Sequence, residues 1–185
     1  AFTNGNSFKF DIYPYWFKTR ATAVGETTLV TDSLGFFPFS SLSDGNIRVG
    51  NAANGYKYYY YSSASAGSLT FNGLSPAIAT AVTSGMDVQP VALSDNGNST
   101  TVGNGDTITI SSTGAGAFPE FNGTFTFDVD QTPSGIPAGT AFRYERRTGN
   151  VLQNVTLADA RRTWINFTVD NGTRLVLDKF LIVHS

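Results

Sequence analysis

The chain has 185 residues, of which 41% are hydrophobic, 14% aromatic and only 14% charged, with 19 glycines and no cysteine. That length suits one large domain or two small ones, and the apolar content is enough for a buried core. A net charge of −2 gives no bulk attraction for nucleic acid. The absence of cysteine excludes disulfides, thiolate metal sites and cysteine nucleophiles, and no apolar run reaches the ~18 residues of a membrane span.

Few charges with many Thr, Gly and aromatic residues favour pleated sheet over helix. The elements follow as short alternating runs broken by turn signals. The first is Phe8-Lys9-Phe10-Asp11-Ile12-Tyr13, with Phe8, Phe10 and Ile12 on one face, bent by Pro14 before Tyr15-Trp16-Phe17. Runs at 27–30, 34–39 and 47–49 come next, separated by turns at Ser43-Asp44-Gly45-Asn46 and Ala53-Asn54-Gly55, where Asp, Asn and Gly accept turn dihedrals. Tyr56-Lys57-Tyr58-Tyr59-Tyr60-Tyr61 would make both faces of a strand aromatic.

A strand at 68–71 precedes Pro76–Thr83, the best helix candidate of the first half. Met86–Leu93 reads as a strand, its Pro90 pointing to a sheet edge. The polar, Gly-rich stretch 94–105 is the expected boundary, as linker or loop, between an N-terminal β-module (1–93) and a C-terminal one (106–185). Beyond it lie strands at 107–110, 121–129, 141–146, 151–157, 163–169 and 174–183, with one helical turn expected at 157–162. In the strand ending at Val129, Phe125, Phe127 and Val129 share one face and Thr124, Thr126 and Asp128 the other. About a dozen strands predict an all-β, antiparallel β-sandwich, jelly-roll or Ig-like, as one unit or two small modules.

Catalytic constellations are missing. The one histidine, His184, stands next to the C-terminus, a poor place for a preorganised triad. Asp128 and Asp130 share a strand face, a pattern read as two solvated carboxylates. No catalytic residue, metal or cofactor is expected. Asn98, Asn122, Asn154, Asn166 and Asn171 each open an Asn-X-Ser/Thr triplet, weak support for a glycosylated surface. The chain opens Ala1-Phe2-Thr3 without an initiator methionine, which reads as a removed leader or a trimmed start, and no signal-peptide remnant is expected in it.

Charge is polarised. Residues 1–140 hold five basic and ten acidic residues, and 141–185 hold seven basic and four acidic. Arg143, Arg146, Arg147, Arg161 and Arg162, with Arg174, cluster in a stretch without lysine. Guanidinium groups there suit acidic sugars, phosphate or an acidic face of a neighbouring subunit, or serve only to solvate strand edges.

Gly105-Asp106-Thr107-Ile108-Thr109-Ile110-Ser111-Ser112 followed by Phe118-Pro119-Glu120-Phe121-Asn122-Gly123-Thr124-Phe125-Thr126-Phe127 resembles a small β-module, within 105–129, of tailed-bacteriophage virion proteins and related bacterial surface proteins. The resemblance implies a structural role as a head-decoration, tail or fibre component, and carries no functional residue. The leading expectation is a non-enzymatic subunit of a repeating extracellular or virion assembly whose partners are copies of itself and other assembly proteins. The N-terminal aromatics Phe8, Phe10, Tyr13, Tyr15, Trp16 and Phe17, with Ile12, are expected at the subunit interface, because alternation lets only half of them face one core, with a place between two sheets of the chain's own domain as the competing reading. A donated strand of a surface pilus is the runner-up. A carbohydrate-binding sandwich is the third reading, with Tyr59 and Tyr61 stacking on surface glycans and burial the competing role.

Overall fold

A computed structural model describes residues 9–14, 17–32, 41–65, 70–97, 99–131 and 136–184, with the backbone alone for 9–14, 41 and 179–184. The chain is all-β: 51% is strand, with no α-helix among the described residues and a short 3-10 turn at Ala115–Ala117. In chain order the strands begin β1 (Lys9–Pro14), β2 (Phe17–Thr19), β3 (Thr28–Asp32), β4 (Ser41–Leu42), β5 (Gly45–Asn51), β6 (Gly55–Tyr61), β7 (Ser63–Ser65), β8 (Thr70–Asn72) and β9 (Asp87–Leu93). They continue as β10 (Thr100–Val102), β11 (Ile108–Thr109), β12 (Gly123–Phe127), β13 (Ala141–Arg143), β14 (Arg146–Thr148), β15 (Val151–Gln153), β16 (Thr156–Leu157), β17 (Phe167–Val169) and β18 (Arg174–His184).

Every ladder between these strands is antiparallel. Thirteen strands connect through shared ladders in the order β16-β13-β12-β18-β9-β2-β3-β8-β7-β4, with β1 branching from β18 and the β5–β6 hairpin from β9. The β10–β17 and β11–β15–β14 ladders stand apart from them. The β5–β6 hairpin turns where Asn54 and Gly55 predict it. The Asn51 carboxamide oxygen accepts from the Asn54 amide at 2.9 Å, and Gly55 takes φ 71°, the left-handed position such loops reserve for glycine.

Strand β9 organises the layout. One edge pairs with β5 from Asn46↔Val91 to Gly50↔Asp87. The other edge is shared, Asp87 and Val88 pairing with β2 and residues 91–93 with β18. Pro90 therefore lies in a central strand, not at the expected edge. On the shared edge Ser94 donates to Thr173 and accepts from Gly172, so alternation turns the backbone of residue 90 the same way. Residue 90 falls between the two partners of that edge, where no ladder donor is required.

Buried side chains gather in two clusters. The first runs from Phe17 to Val88 and includes Leu29, Ile47, Tyr61, Phe71 and Ile78. The second runs from Ala92 to Leu177 and is densely aromatic. Phe125 stacks on Phe142, its cross-strand partner, at 5.6 Å. Phe127 meets Phe142 and Phe167 edge-on at 5.4 and 5.7 Å. Such pairs add ~0.5–1.5 kcal/mol each beyond burial. The clusters divide inside β9, ahead of the expected linker. Residues 94–105 contain β10, paired with β17, and bury Ser94 and Val102. The two segments carrying the virion-protein resemblance fall in different ladders, β11 and β12, yet place Ile108, Ile110, Phe125 and Phe127 in one cluster.

Three local expectations change. Pro76–Thr83 is not helical: its Ile78 and Val82 amides donate to Glu26 and Thr22 carbonyls, and both side chains are buried. β-Branched residues resist helix and suit this extended path. Residues 157–162 make a turn closed by the Arg162 amide on the Asp159 carbonyl at 3.1 Å. Val129 is exposed, because β12 ends at Phe127 and the alternation ends with it.

Two glycines are occupied by tyrosine rings. Gly45 lies opposite Tyr61 in the β5–β6 ladder, where an added Cβ would come within 2.5 Å of the phenol oxygen. Gly123 lies under Tyr144, whose hydroxyl donates to the Pro119 carbonyl at 2.7 Å. Gly123→Ala is expected to destabilise by ~1–3 kcal/mol through overpacking, read as a lower urea midpoint with an unchanged slope. Tyr61 has a fully buried hydroxyl without a hydrogen-bond partner among the described residues. Burial, then the charge of Asp44, raises its pKa, and burial raises that of Tyr59. A phenol held neutral in the folded state contributes stability that is complete below its unfolded pKa of about 10 and is lost as pH rises through the folded value. Tyr61→Phe should therefore hold or raise the melting temperature at neutral pH and flatten its fall above pH ~10.

Candidate functional site

The tyrosine run of β6 decides which face of the sheet carries chemistry. Tyr59 and Tyr61 point into the first core, at 5% and 0% exposure. They cannot stack on a glycan, and that expectation is corrected: the outward parity is Tyr56, Tyr58 and Tyr60. The buried parity follows from β5, whose Ile47 and Val49 share its inward face.

On the outward face the register sets Tyr58 opposite Arg48 and Arg48 opposite Gln89, then Tyr60 opposite Asn46 and Asn46 opposite Val91. The Arg48 guanidinium lies 4.1 Å from the Tyr56 ring centre, and its Nε donates to Gln89 Oε1 at 2.7 Å. Gln89 Nε2 in turn donates to the Leu177 carbonyl at 3.3 Å. Arg174 of β18 lies 4.3 Å from the Tyr58 ring centre and 3.4 Å from Asp128 Oδ2. Burial raises the Tyr58 pKa first, and the charge and hydrogen bond of Asp128 add to it. Asp128 is therefore not the solvated carboxylate its strand suggests: its side chain is 7% exposed. Asp130 is engaged elsewhere, accepting from the Ala138 amide at 2.7 Å.

This arginine–tyrosine layer lies over β9, whose outward Gln89 and Val91 are buried. At its edge it leaves a groove of about 220 Å³. Val91 and Leu93 line it together with Tyr58, Tyr60, Arg174 and the polar Asn46 and Ser75. Ser75 and Tyr60 exchange backbone hydrogen bonds at 2.9 Å, which fixes that rim.

The other arginines do not form one anion site. Arg143 donates to Thr156 Oγ1 at 3.0 Å. Arg146 pairs with Glu120 at 3.6 Å and covers the Phe121 ring. Arg147 is spent on the Phe118 carbonyl at 2.8 Å and on that of Gly149 at 2.5 Å. Arg161 pairs with Asp159 at 3.5 Å, in the turn that also holds Arg162. Proximity in sequence is dispersed over β13, β14 and a turn. Arg174, which is in the layer, belongs with the tyrosines through tertiary contact alone.

Of the N-terminal aromatics, Phe17 belongs to the first core, 3% exposed and 6.1 Å edge-on to Phe71, so it is corrected from interface to core. Phe8, Tyr15 and Trp16 lie outside the described residues. Phe10 and Ile12 lie on β1, opposite Val183 and Leu181 of the chain's own β18, and Tyr13 opposite Phe180. His184 ends β18 opposite Lys9. Asn122, Asn154, Asn166 and Asn171 are exposed; Asn98 lies outside the described residues. Among the described residues no three of His, Cys, Asp and Glu gather as a metal site, and no helix is long and apolar enough to cross a membrane.

Arg174→Ala leaves the shielded Asp128 without its cation and should cost ~1–3 kcal/mol in urea unfolding. Adding Asp128→Asn should recover part of that loss, and the non-additivity measures the pair. Comparison with family models, with curated proteins and with solved structures returns no match for this chain.

Proposed function

We propose that the chain is a non-enzymatic structural subunit of a repeating extracellular assembly, of the kind that tailed phages build into virions as decoration, tail or fibre proteins. The observation that supports this reading is the ribbon made by the two chain ends. β18 pairs with β12 only as far as Phe180, whereas its ladder with β1 runs on to His184. Among the described residues, β1 pairs only with β18, and residues 181–184 pair only with β1. A two-stranded ribbon is marginal in water by itself, and among the described residues neither the outer edge of β1 nor that of residues 181–184 has a ladder partner, the condition that invites strand pairing. Its sequence is strongly apolar, with Phe180-Leu181-Ile182-Val183 facing a strand that contains Phe10 and Ile12. Strand addition by a second subunit satisfies both deficits.

A donor-strand subunit is the second reading, favoured by the same ladder: β1 could leave its own β18 and occupy that of a neighbour.

Light scattering on the whole chain should show concentration-dependent assembly. Deletion of residues 1–14, which spares the core residue Phe17, should give a monomer that still unfolds cooperatively. A whole chain that stays monomeric at all concentrations, with no ordered particles in the electron microscope, would overturn the proposal. The cysteine-free background makes the exchange test clean. Lys9→Cys and His184→Cys chains, mixed, cross-link between subunits if β1 is exchanged and fail to do so if edges merely pair.

A further inference from the structure

The groove beside Tyr60 is built from β5, β6, β9 and β18, away from the ladder of β1 with residues 181–184, and its chemistry is of another kind. Two aromatic side chains, Tyr58 and Tyr60, line it over an apolar floor that includes Val91. Three residues with hydrogen-bonding side chains line it: Asn46, Ser75 and Arg174. Among the described residues no side-chain hydrogen bond engages Asn46 or Ser75, so both retain donors and acceptors for a ligand. Arg174 makes one 3.4 Å contact with Asp128, which leaves most of its five donors unspent.

We propose that this groove binds a single neutral sugar ring of a glycan. Three properties select that class. The volume of about 220 Å³ lies below the ~300–1,000 Å³ of pockets for drug-sized ligands, which fits one ring and not an extended chain. An exposed tyrosine beside mixed donors and acceptors matches a molecule with apolar C–H faces and hydroxyls around its rim. The local charge argues against an acid. The Arg174 cation is already offset by Asp128, and the Asp44 carboxylate stands 3.5 Å from the Tyr60 hydroxyl, adding negative charge beside the groove. Tyr60 is 38% exposed and lies outside the core cluster, so a ligand can reach it without a rearrangement of the core.

The test is a glycan array of neutral and acidic sugars probed with the whole chain. Saturation-transfer NMR then follows with the free monosaccharide of the strongest neutral hit, and with glucuronic acid as the acidic probe. The expected result is binding of the neutral sugar with a dissociation constant on the order of 1 mM, as a small, shallow contact affords. Tyr60→Ala and Asn46→Ala should each weaken it at least tenfold, while Phe121→Ala, an exposed aromatic outside the groove, leaves it unchanged. Thermal melts confirm that each variant is folded. Absence of any neutral hit, binding indifferent to Tyr60→Ala and Asn46→Ala, or preference for glucuronic acid would each overturn the proposal.

Discussion

Strand β9 has neighbours on both edges and is buried on both faces, and the rest of the molecule is arranged to satisfy it. A strand with Val88, Gln89, Pro90, Val91 and Ala92 all buried needs cover above and below. On the inner side the cover is the two core clusters, which meet within this strand. On the outer side it is a single layer of side chains: Tyr56, Tyr58, Arg48 and Arg174. Arginine and tyrosine suit that task because each has a flat apolar body and a polar rim. The layer shields Val91 while keeping charge at its surface.

The same constraint joins the two halves of the chain. β5 and β6 come from the first half and β12 and β18 from the second, and β9 is the strand between them. Arg174 contacts Tyr58 and Asp128 together, so one side chain ties the first half to the second above the backbone ladder. The division into two clusters is a matter of packing. Hydrogen bonding and the arginine–tyrosine layer both run across it.

This arrangement leaves parts of the molecule incomplete. Most of the sheet is paired, covered or capped, as where Ser75 bridges to β6 at Tyr60. Among the described residues, the ribbon of β1 with residues 181–184 and the groove beside Tyr60 are two places that are less so. One offers open backbone edges and the other unspent side-chain groups beside exposed aromatic surface. The proposed strand addition and the proposed sugar stacking use different parts of β18, residues 181–184 and Arg174, so neither excludes the other.

Alternation determined the fold class and the shared face of Phe125 and Phe127, and Asn54 with Gly55 marked the β5–β6 turn, because these depend on residues close in sequence. It also marked the two faces of the tyrosine run, but could not tell which faces water. A strand's period of two leaves that parity open until a partner strand supplies an apolar face, and here Ile47 and Val49 bury Tyr59 and Tyr61. Pro90 was misplaced at an edge for a related reason: whether its missing N–H matters depends on which strands lie alongside. The arginines grouped in sequence at 143–162 were dispersed by β13, β14 and a turn. The groove draws Asn46, Tyr60, Val91 and Arg174 from four strands across more than 120 residues. No local pattern encodes that meeting; only the sheet order, with β9 between β5 and β18, brings it about.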